Sequence, residues 1–192
     1  GHFQYMNYGM VPTKDSSNNG NYSEEEVNYL ELFDLCDSIE DKELDLLEIG
    51  CGFGHGAQLI YEEFNPQSLL SIDRARNAIL YPKNNLDTTN VTYMHDGFSE
   101  NLAPERSFDI IYTVETGGRF PTQQNFDLAY RLLKKNGFFL VANINPASEI
   151  EKKRKFAAEA GFQLHDEKDI TPQVLSYLNS ETKARRFYSA ID

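Results

Sequence analysis

Glycine occupies every second position in one short stretch of the chain, directly after an acidic residue. Glu48 is followed by Gly50, Gly52 and Gly54, and the apolar residues before Glu48 are typical of a buried strand. The glycines predict a sharp turn at which a ligand comes close to the backbone. Residues 57–64 predict a helix after the turn, and the N–H groups at a helix N-terminus favour an anionic group of a ligand. The stretch therefore predicts a nucleotide-binding turn.

The spacing of the glycines distinguishes between two kinds of nucleotide ligand. A dinucleotide fingerprint has the form G-x-G-x-x-G, and in this chain its third glycine would fall on His55. The spacing therefore disfavours a nicotinamide oxidoreductase. A glycine-rich turn that binds no nucleotide is the alternative.

Two further carboxylates follow predicted strands. Asp73 ends the apolar stretch 68–73, close to the spacing of about 20 residues at which an acidic residue meets a ribose. The alternative role for Asp73 is a helix N-cap. Asp96 follows the alternating stretch 91–95 and precedes Gly97, so a plain turn is the alternative there.

These stretches resemble the class I S-adenosylmethionine-dependent methyltransferases. The first motif of that family is an acidic residue followed by G-x-G-x-G, as in 48–54, and its fourth strand resembles 108–115. Residues 134–137 are Lys-Lys-Asn-Gly, whereas the family usually has the motif leucine-lysine-proline-glycine-glycine at this point. The change is compatible with a left-handed turn, because Asn and Gly both tolerate that conformation. The resemblance implies S-adenosylmethionine as cofactor, S-adenosylhomocysteine as product, and an acid at Asp96 that accepts from the adenine amino group. The implied cofactor-binding residues are Tyr8, Glu48, Gly50, Cys51, Gly52, Gly54, Asp73, Arg74, Asp96, Gly97, Phe98 and Thr113.

Both ends of the chain resemble the type-11-like members that act on small natural products and lipids. Residues 3–10 approximate a phenylalanine-x-asparagine-x-glycine-aromatic segment that packs over the cofactor, and an ordinary hydrophobic anchor is the alternative. Residues 160–175 resemble the subfamily's alanine-glycine-phenylalanine text and its continuation. We expect residues 1–22 to close over the cofactor site and residues 23–192 to form the methyltransferase domain. Its C-terminal lid is expected to be shortened or truncated, because only 176–184 stand where members carry a long helical insertion.

Alternating strands and helices are predicted to position these residues. Ser23 and Glu26 form a capping box, which predicts a helix to about Asp37. From there to about Asp169 predicted strands and helices alternate, which indicates an α/β fold with a mostly parallel sheet and helices on both faces. The resemblance implies the doubly wound, seven-stranded-type, Rossmann-like form of that fold.

Three boundaries in the second half of the chain follow from the same patterns. A helix is expected to end at Asn136-Gly137, a common C-terminal signal. A sixth strand is expected around His165. Residues 185–191 are expected to form the family's antiparallel edge strand.

Glu115 is the candidate catalytic base. It follows the fourth predicted strand, at the carboxyl edge of the sheet where ligands bind. A base is needed only where the acceptor must lose a proton, because the methyl group of the implied cofactor is already activated. Related enzymes often carry histidines before Phe120-Pro121, and this chain has 116–119 there without one. The alternative roles for Glu115 are a helix cap or an ion pair with Arg119.

Composition and charge limit the classes of partner. The chain has 192 residues and a net charge of −12, enough for one domain with a full core and poorly suited to nucleic acid. The only dense basic run, 152–155, is expected to be a solvated helix face. We see no apolar run of membrane-spanning length and no signal peptide, so we expect no stable membrane insertion and a cytoplasmic location. Two cysteines are too few for a disulfide framework, and no spaced set of carboxylates indicates a metal.

The sequence therefore predicts methyl transfer from S-adenosylmethionine to a small organic acceptor, with oxygen as the favoured atom. In-line displacement with mainly positional catalysis is the expected mechanism. One alternative is a lipid or quinone methyltransferase, and another is a non-catalytic S-adenosylmethionine-binding subunit. The identity of the acceptor and the oligomeric state do not follow from the sequence.

Overall fold

The computed structural model describes residues 7–12, 22–36, 43–117 and 120–179. Within these ranges, helices and strands alternate, except that the third strand is followed directly by the fourth and the fifth helix directly by the sixth. The helices are α1 (Glu24–Phe33), α2 (His55–Phe64), α3 (Arg76–Asn85), α4 (Gln123–Leu132), α5 (Ala147–Ala160) and α6 (Thr171–Leu178). The strands are β1 (Asp45–Ile49), β2 (Ser68–Asp73), β3 (Val91–His95), β4 (Phe108–Val114) and β5 (Leu133–Ala142).

The strands form one parallel sheet in the order β3-β2-β1-β4-β5. The register places Ile49 of β1 beside Ile72 of β2, and Glu48 of β1 beside Tyr112 of β4. The chain builds the sheet outward from β1 in both directions, so the order reverses between β1 and β4. Ligands of open α/β sheets bind beyond the carboxyl ends of the strands at such a reversal.

Apolar residues cover both faces of the sheet. Leu46 of β1 belongs to a core that includes Phe33 of α1 and Ile60 of α2, whereas Leu47 belongs to a second core that includes Leu132 of α4. Neighbouring residues of a strand point to opposite faces, so the two cores lie on opposite sides. The predicted doubly wound α/β class with helices on both faces is confirmed. The described residues contain five strands, fewer than the seven of the implied type.

The predicted capping box begins α1. The backbone N–H of Ser23 donates to Glu26 Oε2 at 2.7 Å, and the N–H of Glu26 donates to Ser23 Oγ at 3.3 Å. These reciprocal bonds satisfy two N–H groups that have no partner within the helix. The helix ends at Phe33, earlier than the predicted end at about Asp37.

The predicted helix end at Asn136-Gly137 is wrong, because β5 already begins at Leu133. Lys134 explains the early end: its Nζ donates to Asp45 Oδ2 at 2.6 Å and to Asp109 Oδ2 at 2.8 Å. These bonds draw the chain to the amino ends of β1 and β4. Asn136 adopts the anticipated left-handed conformation, with φ of 62°, inside an irregular part of β5.

The predicted sixth strand at His165 is also wrong, because residues 162–170 form neither strand nor helix. Residues 163–169 are exposed and mostly polar or charged, so they lack the apolar alternation that a strand on this sheet needs. Phe162 instead packs against the aromatic rings of α4 and β5. The predicted edge strand at 185–191 lies outside the described residues.

Candidate functional site

A cavity of about 790 Å³ opens at the carboxyl ends of β1, β2, β3 and β4. This is the edge of the sheet at which the strand order reverses, as expected for a ligand site in this class of fold. Most of the predicted site residues meet there. Those that line the cavity are Gly50, Cys51, Gly52, Asp73, Arg74, Asp96, Gly97, Phe98 and Glu115.

Left-handed backbone at the alternating glycines turns the chain from β1 into α2. Gly50, Gly52 and Gly54 have φ values of 76°, 53° and 81°, which side chains other than glycine rarely adopt. The N–H groups of Gly50 and Cys51 donate to the carbonyl oxygen of Ile72 at 2.8 and 3.1 Å. The turn is therefore tied to the end of β2 and held against the cavity.

The Asp73 carboxylate lies beside the glycine turn. Its Oδ2 accepts from the N–H of Gly52 at 2.9 Å, and its Oδ1 accepts from the N–H of Ala75 at 2.7 Å. The N-cap of α3 is Ala75, so the alternative in which Asp73 caps this helix is not what the structure shows. Each carboxylate oxygen can accept a second hydrogen bond. Asp73 therefore has acceptor capacity left for a ligand in the cavity that it lines.

Asp96 and Phe98 form the wall of the cavity at the end of β3. The Asp96 Oδ1 accepts from the N–H of Gly97 at 2.7 Å, and the Asp96 N–H donates to the carbonyl oxygen of Asp73 at 3.2 Å. The Phe98 ring meets the Phe120 ring edge-on, with 6.3 Å between the centroids. A carboxylate and an aromatic side chain therefore line the same cavity just after β3, the strand that pairs with the strand of Asp73.

Glu115 lies at the end of β4 and binds the N-terminal part of the chain. Its two carboxylate oxygens each accept from the N–H of Tyr8 at 3.1 Å, and its Oε1 also accepts from Asn28 Nδ2 at 3.2 Å. The N-cap of α4 is Thr122, so Glu115 does not cap that helix. The other alternative, an ion pair with Arg119, lies outside the described residues.

Glu48 lies behind the glycine turn, outside the lining of the cavity. Its side chain is 1% exposed, and its Oε2 accepts from Ser71 Oγ at 3.0 Å. Burial raises the pKa of Glu48 to about 8, against a partial lowering by the hydrogen bonds from Ser71 and Tyr29. The structure thus places this acid where it supports the turn from within the core.

Three other predicted contact residues also lie outside the lining. Gly54 packs beneath Tyr93, whose hydroxyl donates to the Gly54 carbonyl oxygen at 2.9 Å. Thr113 is buried, and its hydroxyl bonds to that of Thr116. Tyr8 is 51% exposed and reaches the site through its backbone N–H. These positions support the residues that form the wall.

Several lining residues were not predicted as site residues from the sequence. These are Tyr29, Phe53, Thr116, Phe120, Thr122 and Asn125, among others. The sequence signal for the position of Tyr29 is the glycine at 56. A Cβ atom at Gly56 would lie 2.2 Å from the Tyr29 ring, so only glycine leaves room for that ring. A fourth glycine in the alternating series therefore marks the close approach of α1 to the turn. Thr122 and Asn125 cap α4, and no pattern before that helix indicates that they face a cavity.

The basic run 152–155 lies on α5 and is largely neutralised. The ion pairs are Lys152–Glu149 at 3.4 Å, Arg154–Glu167 at 2.7 Å and Lys155–Glu159 at 3.6 Å. The prediction of a solvated face is wrong for Lys153, which is 9% exposed and donates from Nζ to the Phe120 carbonyl oxygen. Its aliphatic stem reaches inward from the helix, so this cation supports the loop after β4.

The described residues can also be compared with the requirements of a metal site and of a membrane-spanning helix. Within residues 7–12, 22–36, 43–117 and 120–179, no group of three or more His, Cys, Asp or Glu side chains is arranged to hold a metal ion. None of the helices in those ranges is long and apolar enough to cross a membrane.

The comparison with protein families decides the class. The family described as "Methyltransferase domain" matches residues 40–185. The chain belongs to this family. Together with the fold and the motifs above, the match confirms the predicted class of S-adenosylmethionine-dependent methyltransferase.

The methyltransferase domain is similar to two curated bacterial methyltransferases. It is 25% identical over 142 residues to the "Probable phthiotriol/phenolphthiotriol dimycocerosates methyltransferase 2" of Mycobacterium ulcerans, covering 73% of this chain and 55% of that protein. It is 23% identical over 183 residues to the "Fatty-acid O-methyltransferase" of Mycolicibacterium smegmatis, covering 89% of this chain and 64% of that protein. The chain thus spans less than two thirds of the length of either relative.

Solved structures share the fold of the methyltransferase domain. A putative sarcosine dimethylglycine methyltransferase from Galdieria sulphuraria superposes with a TM-score of 0.70 at 14% identity, covering 97% of this chain and 78% of that one. A geranyl diphosphate methyltransferase also gives 0.70, at 13% identity, covering 94% and 89%. At these identities the likeness shows the Rossmann-like fold alone.

S-adenosylmethionine is the cofactor of this class, and the residues of the cavity fit it. Asp73 offers acceptor capacity suited to ribose hydroxyls, beside a glycine turn that brings the backbone close. Asp96 offers an acceptor suited to the adenine amino group, and Phe98 an apolar surface for the ring. Arg74, which follows Asp73 at the end of β2, adds a cationic residue to the lining. The nucleoside can therefore be recognised by side chains that the sheet already places together.

Proposed function

We propose that this domain transfers the methyl group of S-adenosylmethionine to an oxygen atom of a small organic acceptor with an apolar body. The observation that carries the proposal is the position of Asp73, held against the glycine turn in a cavity at the switch point of the sheet. The relative named "Fatty-acid O-methyltransferase", which matches 89% of this chain, supports oxygen as the atom and an apolar acceptor body.

Recognition of the cofactor falls to three side chains in this proposal. When bound, S-adenosylmethionine supplies a methyl group that is already activated on its sulfonium sulfur. The Asp73 carboxylate would accept from the ribose hydroxyls and Asp96 from the adenine amino group, with Phe98 against the ring. The chain must then orient the acceptor in line with the methyl group and exclude water, because both effects lower the barrier to transfer.

The side of the cavity towards β4 and α4 is left for the acceptor. Val114 and Phe120 give this side apolar surface, and Thr122 and Asn125 at the start of α4 give it polar groups. Such a mixed wall suits a molecule with an apolar body and one polar group at the reacting end. Both the small-molecule and the lipid alternatives share this description.

The need for a base depends on the acceptor. A carboxylate acceptor already has a nucleophilic oxygen, whereas a hydroxyl must lose a proton to react. For a hydroxyl acceptor, Glu115 is the candidate base among the lining residues. We favour a carboxylate acceptor, for which no base is required, because the relative that matches 89% of this chain is named a fatty-acid O-methyltransferase.

The test uses methyl-labelled S-adenosylmethionine with two matched acceptors, a long-chain fatty acid and the fatty alcohol of the same length. We expect labelled ester from the acid and little labelled ether from the alcohol. Ether from the alcohol alone would overturn the carboxylate preference and favour a base.

A parallel incubation with an extract of the source cells covers other acceptors. Label in the organic or aqueous small-molecule fraction supports the proposed substrate class. Label in protein or nucleic acid would overturn it, and label in nucleic acid would also overturn the prediction that the domain has no nucleic-acid partner. Binding of the cofactor by calorimetry without transfer to any fraction would support the non-catalytic subunit instead.

A further inference from the structure

The segment 7–12, here called the N-terminal strap, is held at its two ends by different kinds of interaction. At the inner end Met10 is fully buried and packs with Val27 of α1 and Val174 of α6, and its N–H donates to the Glu24 carbonyl oxygen at 2.8 Å. Burial of a methionine side chain against two helices is a strong, non-directional anchor. The inner end is therefore secured whatever happens at the cavity.

The outer end of the strap reaches the cavity and is held by polar contacts. Asn7 lines the cavity, and its amide is used to shape the strap: Nδ2 donates to the Glu25 carbonyl oxygen at 3.0 Å and Oδ1 accepts from the Gly9 N–H at 2.9 Å. The next N–H, that of Tyr8, donates to both oxygens of Glu115 at 3.1 Å. Glu115 thus joins the strap to the sheet across 107 residues of sequence.

The backbone at Glu115 is built to present this carboxylate. Its N–H donates to the Ala142 carbonyl oxygen at 2.8 Å, which continues the pairing of β4 with β5. Its φ is 53°, a left-handed conformation that is uncommon for a residue with a side chain. A strained backbone that is fixed by the sheet persists where the surrounding structure enforces it, often at functional sites. The rigid end of β4 therefore aims Glu115 at the strap.

We propose that Glu115 is a positioning residue that latches the N-terminal strap onto the cavity, so that release of Tyr8 from Glu115 controls entry and exit of the cofactor. The proposal deepens the proposed function and rests on it for the identity of the ligand. Asn28 orients the carboxylate from α1 by donating to its Oε1 at 3.2 Å. Both Glu115 oxygens accept from the Tyr8 N–H, which is the contact that holds the outer end of the strap.

Two variants separate the latch from the base. Glu115→Ala removes both acceptors, and Glu115→Gln keeps one oxygen that can accept from Tyr8 and Asn28 while removing any base. Glu105→Ala is the matched control, because Glu105 is a surface glutamate paired with Arg131 at 3.8 Å, outside the cavity lining.

The first measurement is amide hydrogen exchange of the whole chain without ligand. In Glu115→Ala we expect protection of the Tyr8 amide to fall about 10-fold or more, while the Met10 amide keeps its protection. Unchanged protection of Tyr8 would overturn the latch. This measurement needs no cofactor, so it tests the latch independently of the proposed function. Failure of the wild-type chain to bind S-adenosylmethionine would overturn the proposed function and leave the exchange result unaffected.

The second measurement is the rate of S-adenosylmethionine dissociation, with the steady-state kcat and KM. We expect Glu115→Ala to raise the dissociation rate about 10-fold and Glu115→Gln to raise it by about 3-fold or less, because only the Gln variant keeps an oxygen that can accept from Tyr8. An unchanged dissociation rate in Glu115→Ala would overturn the latch, and a loss of kcat in both variants without that change would favour a base.

A third variant loosens the strap without touching Glu115. Gly9 has φ of 69°, and a Cβ atom there would lie 2.6 Å from the Tyr177 ring, so Gly9→Ala must displace the strap. We expect the same faster dissociation of S-adenosylmethionine as in Glu115→Ala, and little further change when the two are combined, because both act on one contact. Full additivity would overturn the proposal, and this variant also keeps it testable if Glu115→Ala fails to fold.

Discussion

The Oδ2 of Asp73 accepts a hydrogen bond from the backbone N–H of Gly52 at 2.9 Å. This contact joins the end of β2 to the middle of the glycine turn, so the acid and the turn form one unit in the wall of the cavity. The left-handed φ of 53° at Gly52 belongs to the turn that presents this N–H. The acid that is predicted to meet a ribose and the turn that is predicted to approach a ligand are therefore joined by one hydrogen bond.

Replacement of Asp73 by Ala should weaken binding of S-adenosylmethionine about 10-fold or more, since hydrogen bonds to a charged group contribute about 1.5–3 kcal/mol. Asp87→Ala is a matched control: Asp87 accepts from the N–H two residues on at 3.0 Å, as Asp73 does at 2.7 Å, but lies outside the cavity lining. Isothermal titration calorimetry measures both affinities. Equal losses in the two variants would contradict a specific role of Asp73.

The glycines of the site should differ in their tolerance of alanine. Gly54→Ala combines a φ of 81° with a Cβ atom 2.6 Å from the Tyr93 ring, so we expect it to lower the free energy of unfolding by about 2 kcal/mol or more. At Gly117 φ is 109° and nothing lies within 4 Å of a Cβ atom, so only the backbone cost of about 1 kcal/mol is expected. Gly97→Ala meets its nearest neighbour, Arg74, at 3.7 Å and should be tolerated. Urea unfolding of the three variants checks this order, and a Gly54→Ala protein as stable as Gly97→Ala would refute the steric argument.

The buried Glu48 should make the protein less stable as the pH rises. Burial raises its pKa from 4.5 to about 8, so between these values the folded state keeps a proton that the unfolded state releases. The contribution of Glu48 to the free energy of unfolding is fully present below about pH 4.5. It falls by at most about 1.4 kcal/mol per pH unit as the pH rises to about 8. Glu48→Gln, which resembles the protonated acid, should flatten this slope in urea unfolding between pH 5 and 8.

The matched control for that slope is Glu62→Gln, an exposed position on α2. Its unfolding free energy should follow the pH dependence of the wild type. If Glu48→Gln and the wild type gave parallel curves, Glu48 would titrate alike in the folded and unfolded states, contrary to its burial.

Lys134 should contribute to stability without affecting the cavity. It joins Asp45 and Asp109 at the amino ends of the strands, opposite to the edge that binds ligand. Its side chain is 35% exposed, so solvent screens the pairs and Lys134→Met should cost only about 1 kcal/mol, less at high salt. Denaturant unfolding with and without added salt measures this, with Lys135→Met as the control. A change in affinity for S-adenosylmethionine in Lys134→Met would contradict the separation of the two edges.

Much of the local structure follows from neighbouring residues and is therefore readable from the chain. The capping box of Ser23 and Glu26 depends on residues three positions apart, and it is present as predicted. The glycine turn and the first four strands follow from spacing and apolar runs, since both signals are set within a few residues. A local signal misleads where a distant contact competes with it. At Asn136-Gly137 the sequence predicts the end of a helix, but the helix ends earlier, where Lys134 donates hydrogen bonds to Asp45 and Asp109.

The sequence by itself determined the class of fold, the glycine turn and the acids Asp73 and Asp96 at the strand ends, because each of these is encoded by a short pattern. Only the tertiary structure decided that Glu48 faces Ser71 in the core, that Tyr29 of α1 reaches the cavity, and that Glu115 binds Tyr8. These contacts join residues far apart in the chain, and they depend on strand register and helix packing, which local patterns do not specify.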